Sequence, residues 1–228
     1  MGQPVLILGE SGSGKSRSTK NLNSKETFII NVSGKELPYK EAFKNYTEFH
    51  PKDLPKGNHF ISSKASDIIQ ALVYISEKRP EIKQVVIDDN TYIAAFEFMD
   101  RINEVGYAKF NDIGSNIFRL VMAVKQRTRK DLKVFFLNHI EESIDYKGIK
   151  RLKARTVGKL VDEKLTYEGL FTIVLGTEVE EKNEKLEYFF VTNSDGSNTL
   201  KSPEEMFETI RIPNDLQLVV NAIDNYYK

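Results

Sequence analysis

The sequence predicts an α/β fold in which helices cover both faces of a mostly parallel sheet. Short, wholly apolar segments recur along the chain, which is the pattern of strands that are buried on both faces. Segments with helical periodicity separate most of them, as the crossovers of a parallel sheet require. The length of 228 residues suits one good-sized domain. We therefore expect residues 1–228 to form a single domain.

The first half of the chain begins with a strand and contains one long irregular segment. Apolar segments predict buried strands at 4–8, 27–31 and 85–88. Helices are expected over 15–22 and 67–79. Ser66 is the predicted N-cap of the second helix, and Pro80 follows its end. Residues 33–65 show no clear period and are rich in proline, so we expect an irregular excursion from the core.

The second half continues the alternation and then changes to a hairpin. Helices are expected over 91–104, 113–129, 158–167 and 215–226. Strands are expected over 134–138, 170–175 and 186–192. The turn-forming sequence at 193–196 predicts an antiparallel hairpin near the C-terminus.

A glycine-rich segment directly follows the first predicted strand. Residues 9–16 read GESGSGKS and match the P-loop pattern G-x-x-x-x-G-K-[ST]. Glycines let backbone N–H groups face a phosphate at a helix N-terminus. Lys15 should reach the β- and γ-phosphates, and Ser16 should ligate Mg²⁺. We predict that ATP, or GTP, binds with Mg²⁺ against the following residues: Gly9, Glu10, Ser11, Gly12, Ser13, Gly14, Lys15, Ser16 and Arg17.

A P-loop also needs a carboxylate near the metal, and the strand at 85–88 ends in one. Asp88 is the predicted residue that holds Mg²⁺ through water, and Asp89 is a candidate for positioning the attacking water. One of the two could instead cap the helix that begins near Thr91. Glu10, within the P-loop, is a rival for the water-positioning role.

Asn138 and His139 follow another predicted strand. In parallel α/β sheets, ligands bind beyond the carboxyl ends of the strands. Asn138 could therefore hydrogen-bond the γ-phosphate as a catalytic residue. The alternative is a strand-end asparagine that closes a turn.

Charge is balanced overall but not locally. The chain has 33 Lys plus Arg and 33 Asp plus Glu, so net charge does not indicate a nucleic-acid partner. Segment 145–159 is strongly basic, however, and a second basic cluster spans 125–130. Such cations can neutralise a nucleic-acid backbone, reach a neighbouring subunit's γ-phosphate, or form a solvated surface. Aromatic residues of the excursion could stack on single-stranded bases or pack on the core; they are Tyr39, Phe43, Tyr46, Phe49, His50 and Phe60.

The order of several segments resembles phage-encoded ATPases with a RecA-like core that act in single-strand annealing and homologous recombination. The matching segments are GESGSGKS at 9–16, IINVSGKELP at 29–38, VVIDD at 85–89, FFLNH at 135–139, TVGKLVDEKL at 156–165, YFFVTNSDGSNTLKSP at 188–203 and IPNDL at 212–216. The resemblance implies a RecA/KaiC-type core that assembles into a ring or filament with ATP at subunit interfaces. It also implies binding to single-stranded DNA, often beside a single-strand-binding protein.

The resemblance assigns roles to the basic segment. Lys150, Arg151, Lys153 and Arg155 become DNA-loop candidates, and Lys153, Arg155 and Lys159 become candidates for a finger that acts on a neighbouring subunit. One departure concerns catalysis. RecA proteins carry a catalytic glutamate after the second strand, whereas this chain has Asn31 to Ser33 there. Annealing or mediator activity is therefore favoured over strand exchange.

Composition indicates where the protein acts. The chain has no cysteine, which excludes disulfides and suits a reducing compartment. It also lacks an apolar run of the roughly 20 residues that span a bilayer. We expect a protein without a membrane partner in the cytosol of a bacterial host. A DNA-stimulated ATPase is the favoured function; a nucleotide or metabolite kinase and a non-hydrolysing loader of replication proteins are the alternatives.

Overall fold

The computed structural model describes residues 1–50, 52–144, 148, 150–156 and 166–228. Strands in these residues are β1 (Gln3–Gly9), β2 (Thr27–Asn31), β3 (His59–Ile61), β4 (Gln84–Asp88), β5 (Lys133–Ile144), β6 (Lys150–Ala154), β7 (Ile173–Lys182), β8 (Lys185–Val191) and β9 (Arg211–Pro213). Helices are α1 (Ala42–Asn45), α2 (Ala65–Lys78), α3 (Thr91–Asp100), α4 (Ala108–Arg127) and α5 (Leu216–Tyr226), with 3₁₀ helices at Ser16–Asn21 and Tyr167–Leu170. None of the helices in the described ranges is long and apolar enough to cross a membrane.

The main sheet runs in the order β3-β2-β4-β5-β1-β7-β8-β9. Its strands are parallel from β3 to β7, whereas β8 and β9 are antiparallel to their neighbours. Because β5 pairs with both β1 and β4, the carboxyl ends of these three strands meet at one edge. In this register Gly9 pairs with His139, and Asn31 pairs with Asp88.

Both faces of the sheet are covered, as the sequence predicts. Alternate residues of a strand point to opposite faces. On β1, Leu6 and Leu8 pack in the cluster that contains α2, α3 and α4. Val5 and Ile7 pack in the second cluster, which contains α5 and the short helix α1. The predicted α/β class is confirmed.

The first predicted helix is a 3₁₀ helix, Ser16–Asn21, instead of an α-helix over 15–22. The Thr19 hydroxyl donates to the carbonyl of Ser16 at 2.7 Å, and the Ser18 hydroxyl donates to that of Lys15. Such local bonds compete with regular helical bonding and favour a tight turn. The Ser66 cap was also wrong: α2 begins at Ala65, and the Ser66 hydroxyl donates to the Asp67 side chain.

The C-terminal hairpin exists, but its predicted turn was wrong. β7 and β8 are joined through Asn183 and Glu184, which both have positive φ, 52° and 59°. Residues 193–196 instead follow β8 and lead to Lys201, which forms a lone antiparallel bridge with Val174. The tight turn of the hairpin therefore lies one connection earlier in the chain, and residues 193–196 belong to the longer connection between the antiparallel strands β8 and β9.

The basic segment also differs from the predicted loop. β5 continues beyond the main sheet, and its residues Ile140 to Ile144 pair with β6 in an antiparallel hairpin. We call β6 and this part of β5 the basic hairpin. Residues 157–165 lie outside the described residues, so the helix predicted over 158–167 is tested only at its end, where Tyr167–Leu170 is a 3₁₀ helix.

Part of the excursion at 33–65 packs against the core. Phe49 is 3% exposed and contacts the rings of Phe28, Phe60 and Tyr74. Asn58 fixes the same segment: its amide donates to the carbonyls of Ser24 and Asn45, and its side-chain oxygen accepts from the Thr47 N–H. For Phe49 and Phe60, packing on the core is thus the observed role.

Candidate nucleotide-binding site

A cleft of about 680 Å³ lies at the carboxyl edge of the parallel strands. The P-loop and the 3₁₀ helix line one side of it, and the segment from Lys35 to Glu41 lines the other. Asp88, Asp89 and His139 also line the cleft. This position beyond the strand ends is where α/β sheets bind their ligands. The cleft volume lies within the range of small-molecule sites.

The glycines of the P-loop are required by its geometry. Gly12 and Gly14 have φ of +78° and +95°, a region that disfavours side chains. A Cβ at Gly9 would lie 1.8 Å from Thr177 Oγ1, which shows how tightly the loop packs on β7. The Thr177 hydroxyl also donates to Ser13 Oγ at 2.6 Å. The loop is therefore open at Gly12, where a Cβ would meet no neighbouring atom within 4 Å.

Lys15 lies folded onto its own loop. Its ammonium donates to the carbonyls of Gly9 at 2.9 Å and Glu10 at 2.7 Å, and the residue is 5% exposed. Burial lowers the pKa of Lys15 to about 8, although the nearby carboxylates of Asp89 and Asp88 act in the opposite direction. A buried ammonium with two weak carbonyl partners gains strongly from a phosphate partner.

Ser16 and Asp88 form the candidate Mg²⁺ site. The Ser16 hydroxyl donates to Asp88 Oδ1 at 2.8 Å. Burial and the neighbouring charge of Asp89 raise the pKa of Asp88 to about 6, which the hydrogen bond from Ser16 partly offsets. Hydroxyl and carboxylate oxygens are ligands that Mg²⁺ takes together with phosphates and water. The residues present therefore fit the predicted cofactor.

Asp89 lies beside this pair in a strained conformation, with φ of +61°. Its Oδ2 accepts from the Ser33 hydroxyl at 2.7 Å and from the Lys35 ammonium at 3.0 Å. His139 Nε2 lies 3.5 Å from Oδ1, at the limit of hydrogen-bond distance. Burial opposes ionisation, but His139, Ser33 and Lys35 hold the pKa of Asp89 well below its usual range. Asp89 is thus a carboxylate at the cleft, as a water-positioning role requires.

The side chain of Asn138 does not line the cleft that contains Lys15, Ser16, Asp88 and Asp89. Asn138 is 1% exposed, and its side chain lies on the α3–α4 face of β5, on the same side as Phe136. Its oxygen accepts from Asn90 at 2.9 Å, and its amide donates to the carbonyls of His139 and Arg155. The alternation of strand side chains places the next residue, His139, at the cleft instead. Asn138 lies within β5 and links it to Asn90 and Arg155, so the geometry matches neither a γ-phosphate contact nor a strand-end asparagine that closes a turn.

Of the remaining predicted P-loop residues, Arg17 and Ser11 line the cleft, whereas Glu10 is not among its lining residues. The Arg17 guanidinium lies 4.6 Å from the ring centre of Tyr188, and both residues line the cleft. The Glu10 side chain is exposed, while its backbone carbonyl accepts from Lys15 and Ser13. Glu10 is thus less enclosed than Asp89, its rival for positioning water.

Sequence reasoning missed Lys35, Thr177 and Tyr188. Lys35 and Thr177 lie at or just beyond the carboxyl ends of parallel strands, β2 and the buried part of β7. The rule that singled out Asp88 and Asn138 could therefore have found both. Tyr188 comes from the antiparallel strand β8, and no sequence signal placed it near the P-loop.

The basic hairpin adjoins the cleft through its base. The Arg155 N–H donates to the His139 carbonyl at 2.8 Å, directly behind the cleft. Lys153 forms an ion pair with Glu141 across the hairpin at 3.1 Å. Arg151 and the backbone of Lys150 lie further along β6. Lys159, the last finger candidate, is outside the described residues.

Comparison with known proteins identifies the fold. No protein-family model matches the chain, and no curated protein matches it. A solved structure that it does resemble is a KaiC-like protein from the hyperthermophilic archaeon Pyrococcus horikoshii, with a TM-score of 0.52 and 13% sequence identity. The alignment covers 92% of this chain and 84% of that protein. The fold is KaiC-like. The KaiC-like core agrees with the RecA/KaiC-type core that the sequence resemblance implied, and the activity must be argued from the cleft itself.

Proposed function

We propose that the chain is a Mg²⁺-dependent ATPase whose turnover responds to single-stranded DNA. The observation that carries the proposal is the convergence of Lys15, Ser16, Asp88 and Asp89 in one cleft at the carboxyl edge of the sheet. Each of these groups has the chemistry that phosphoryl transfer to water requires.

Each residue has a defined task in the proposed reaction. The Lys15 ammonium exchanges the neutral carbonyls of Gly9 and Glu10 for the β- and γ-phosphates, whose negative charge makes a stronger hydrogen bond. Ser16 and Asp88 hold Mg²⁺, which supplies charge neutralisation at the phosphates when it is bound. Asp89 orients a water molecule that attacks the γ-phosphorus. The bond from phosphorus to the bridging oxygen breaks, and ADP, inorganic phosphate and a proton are released.

The basic hairpin supports the DNA part of the proposal. Its strand β6 carries Lys150, Arg151 and Lys153 and pairs with a segment of β5 that contains Glu141 and Glu142. The N–H of Arg155, which directly follows β6, donates to the carbonyl of His139 at the cleft. DNA on the hairpin would therefore lie close to the nucleotide. In this proposal Lys150, Arg151, Lys153 and Arg155 contact the DNA backbone, and Arg155 or Lys159 reaches the nucleotide of a neighbouring copy.

The cellular part of the proposal follows from the sequence resemblance. We expect a homo-oligomer, a ring or filament, that promotes annealing in phage recombination, beside a single-strand-binding protein in the host cytosol. We also expect residues 1–228 to act as one domain.

The decisive experiment measures ATP turnover with and without single-stranded DNA and records the assembly state of the same samples. We expect turnover that requires Mg²⁺, rises with DNA, and is abolished in Lys15→Ala. ATP binding and assembly with negligible turnover under both conditions would favour the loader function instead. Transfer of phosphate to an added metabolite would favour a kinase.

A further inference from the structure

Lys35 stands out because its backbone is held in a tight turn while its side chain is largely exposed. The Asn31 amide donates to the Lys35 carbonyl at 2.6 Å, and Asn31 Oδ1 accepts from the Gly34 N–H at 2.9 Å. Gly34 has φ of +72°, which allows this tight turn after β2. Asn31 itself is 2% exposed. The turn is thus anchored to the sheet edge beside Asp88, its partner in the pairing of β2 with β4.

From this anchor the Lys35 side chain reaches across the mouth of the cleft. Its ammonium bonds Asp89 Oδ2 at 3.0 Å and lies 5.2 Å from the ring centre of Tyr92. The Lys35 side chain is 66% exposed, whereas that of Asp89 is 11% exposed. A long, largely solvated side chain can move from one anionic partner to another, and a charge-assisted bond to phosphate would offset the loss of the Asp89 contact.

The charges in the cleft favour such an exchange. Lys15 and Lys35 both interact electrostatically with Asp88 and Asp89. The cleft is also lined by further charged residues, namely Arg17, Lys20, Lys40, Glu36 and Glu41. A triphosphate carries more negative charge than one Mg²⁺ offsets, so its binding calls for a further cation. Lys35 is at the Asp89 end of the cleft, where the proposed water attack places the terminal phosphate. It is therefore placed for the γ-phosphate rather than for the α- or β-phosphate.

We propose that Lys35 is a second phosphate-binding lysine, which exchanges Asp89 for the terminal phosphate of ATP and so distinguishes ATP from ADP. The exchange also releases Asp89, which then keeps Ser33 and His139 as neighbours and can orient water. This inference rests on the proposed function, because it concerns the same cleft.

The test is equilibrium binding of two nucleotides to the full chain in Mg²⁺, namely ADP and a non-hydrolysable β,γ-imido analogue of ATP. Lys35→Gln should weaken triphosphate binding by about ten- to a hundred-fold, the loss of one charge-assisted hydrogen bond. ADP binding should change by less than about threefold, the scale of an exposed charge. Lys35→Arg should retain most of the preference for triphosphate.

Lys44→Gln is the matched control, because Lys44 is exposed on α1 and does not line the cleft. It removes the same charge outside the site, so it should leave both affinities and their ratio unchanged. Equal losses for both nucleotides in Lys35→Gln, or an unchanged ratio, would overturn the role of Lys35. Failure of the unsubstituted protein to bind either nucleotide would instead refute the proposed function, and with it this inference. Thermal melting of each variant checks that it is folded.

Discussion

The Ser16 hydroxyl and Asp88 Oδ1 are joined by a 2.8 Å hydrogen bond, although 72 residues separate them in the sequence. Ser16 follows the P-loop lysine, and Asp88 ends β4, a strand that is not paired with β1. The intervening strand β5 sets their spacing. The two groups that would hold Mg²⁺ are therefore preorganised by the sheet rather than by the metal.

Asp88→Asn should separate catalysis from stability. We expect ATP turnover to fall by about 10²–10³-fold, because an amide holds a divalent cation poorly. The melting temperature should stay equal or rise, since burial already raises the pKa of Asp88 to about 6 and the neutral side chain removes a buried charge. Phosphate release and thermal melting measure the two effects. Asp100→Asn, at an exposed position on α3, is the control. Equal turnover in the two variants would contradict the assignment of Asp88 as a residue that holds Mg²⁺.

His59 should make stability depend on pH. Burial lowers the pKa of His59, with Glu48 acting in the opposite direction, and its Nε2 lies 3.3 Å from the Asn31 amide. The unfolded chain therefore binds the proton more readily, and stability is lost as pH falls below about 6.5. In His59→Gln the urea midpoint should change less between pH 7.5 and pH 5.5. His50→Gln, at an exposed position, should keep the wild-type pH dependence; the same flattening there would refute the role of His59.

Asn58→Ala should lower the free energy of unfolding by about 2–4 kcal/mol, because several buried hydrogen bonds are lost together. The Asn58 amide donates at 2.9 Å to Ser24 and at 3.1 Å to Asn45, and its oxygen accepts from Thr47 at 2.8 Å. Urea denaturation measures the change. Asn103→Ala, at an exposed turn position, should be close to neutral. A similar effect in the two variants would show that Asn58 does not fix the excursion.

Removing charge from the basic hairpin should weaken binding to single-stranded DNA. In a variant with Arg151, Lys153 and Arg155 all changed to Gln, the slope of log affinity against log salt should fall by about 2, if each cation neutralises one phosphate. Fluorescence anisotropy over a salt series measures the slope. The matched control changes Lys125, Arg127 and Lys130 to Gln, at and just beyond the end of α4. Equal slopes in the two variants would exclude a specific role for the hairpin.

The sequence alone identified those site residues that a local sequence pattern marks. The P-loop follows a strand directly, and Asp88 ends one, so both could be found without knowing the topology. Asn138 shows the limit of this reasoning. Its strand was predicted over 134–138 but continues to Ile144. Which of two successive side chains faces the cleft depends on the face that each strand residue takes, which the apolar segment does not reveal.

Turns and irregular segments were harder to predict for physical reasons. The β7–β8 turn uses Asn183 and Glu184 with positive φ, whereas such turns usually contain glycine at the second position. Residues 193–196 contain a glycine, Gly196, so the turn was predicted there instead. Lys35 was missed because it lies in a segment without periodicity, where a turn held by Asn31, four residues earlier, places the side chain at the cleft.

The two ends of the main sheet have a consequence for how copies of this protein can associate. Its outermost strands, β3 and β9, are three residues each, and β9 ends in Pro213, which has no N–H to donate. Edge strands that are short or contain proline present few backbone groups with which a strand of another chain could pair. We therefore expect copies to meet through side-chain surfaces or the basic hairpin rather than by extending one continuous sheet. The same edge strands should protect the protein from amyloid-like aggregation at high concentration.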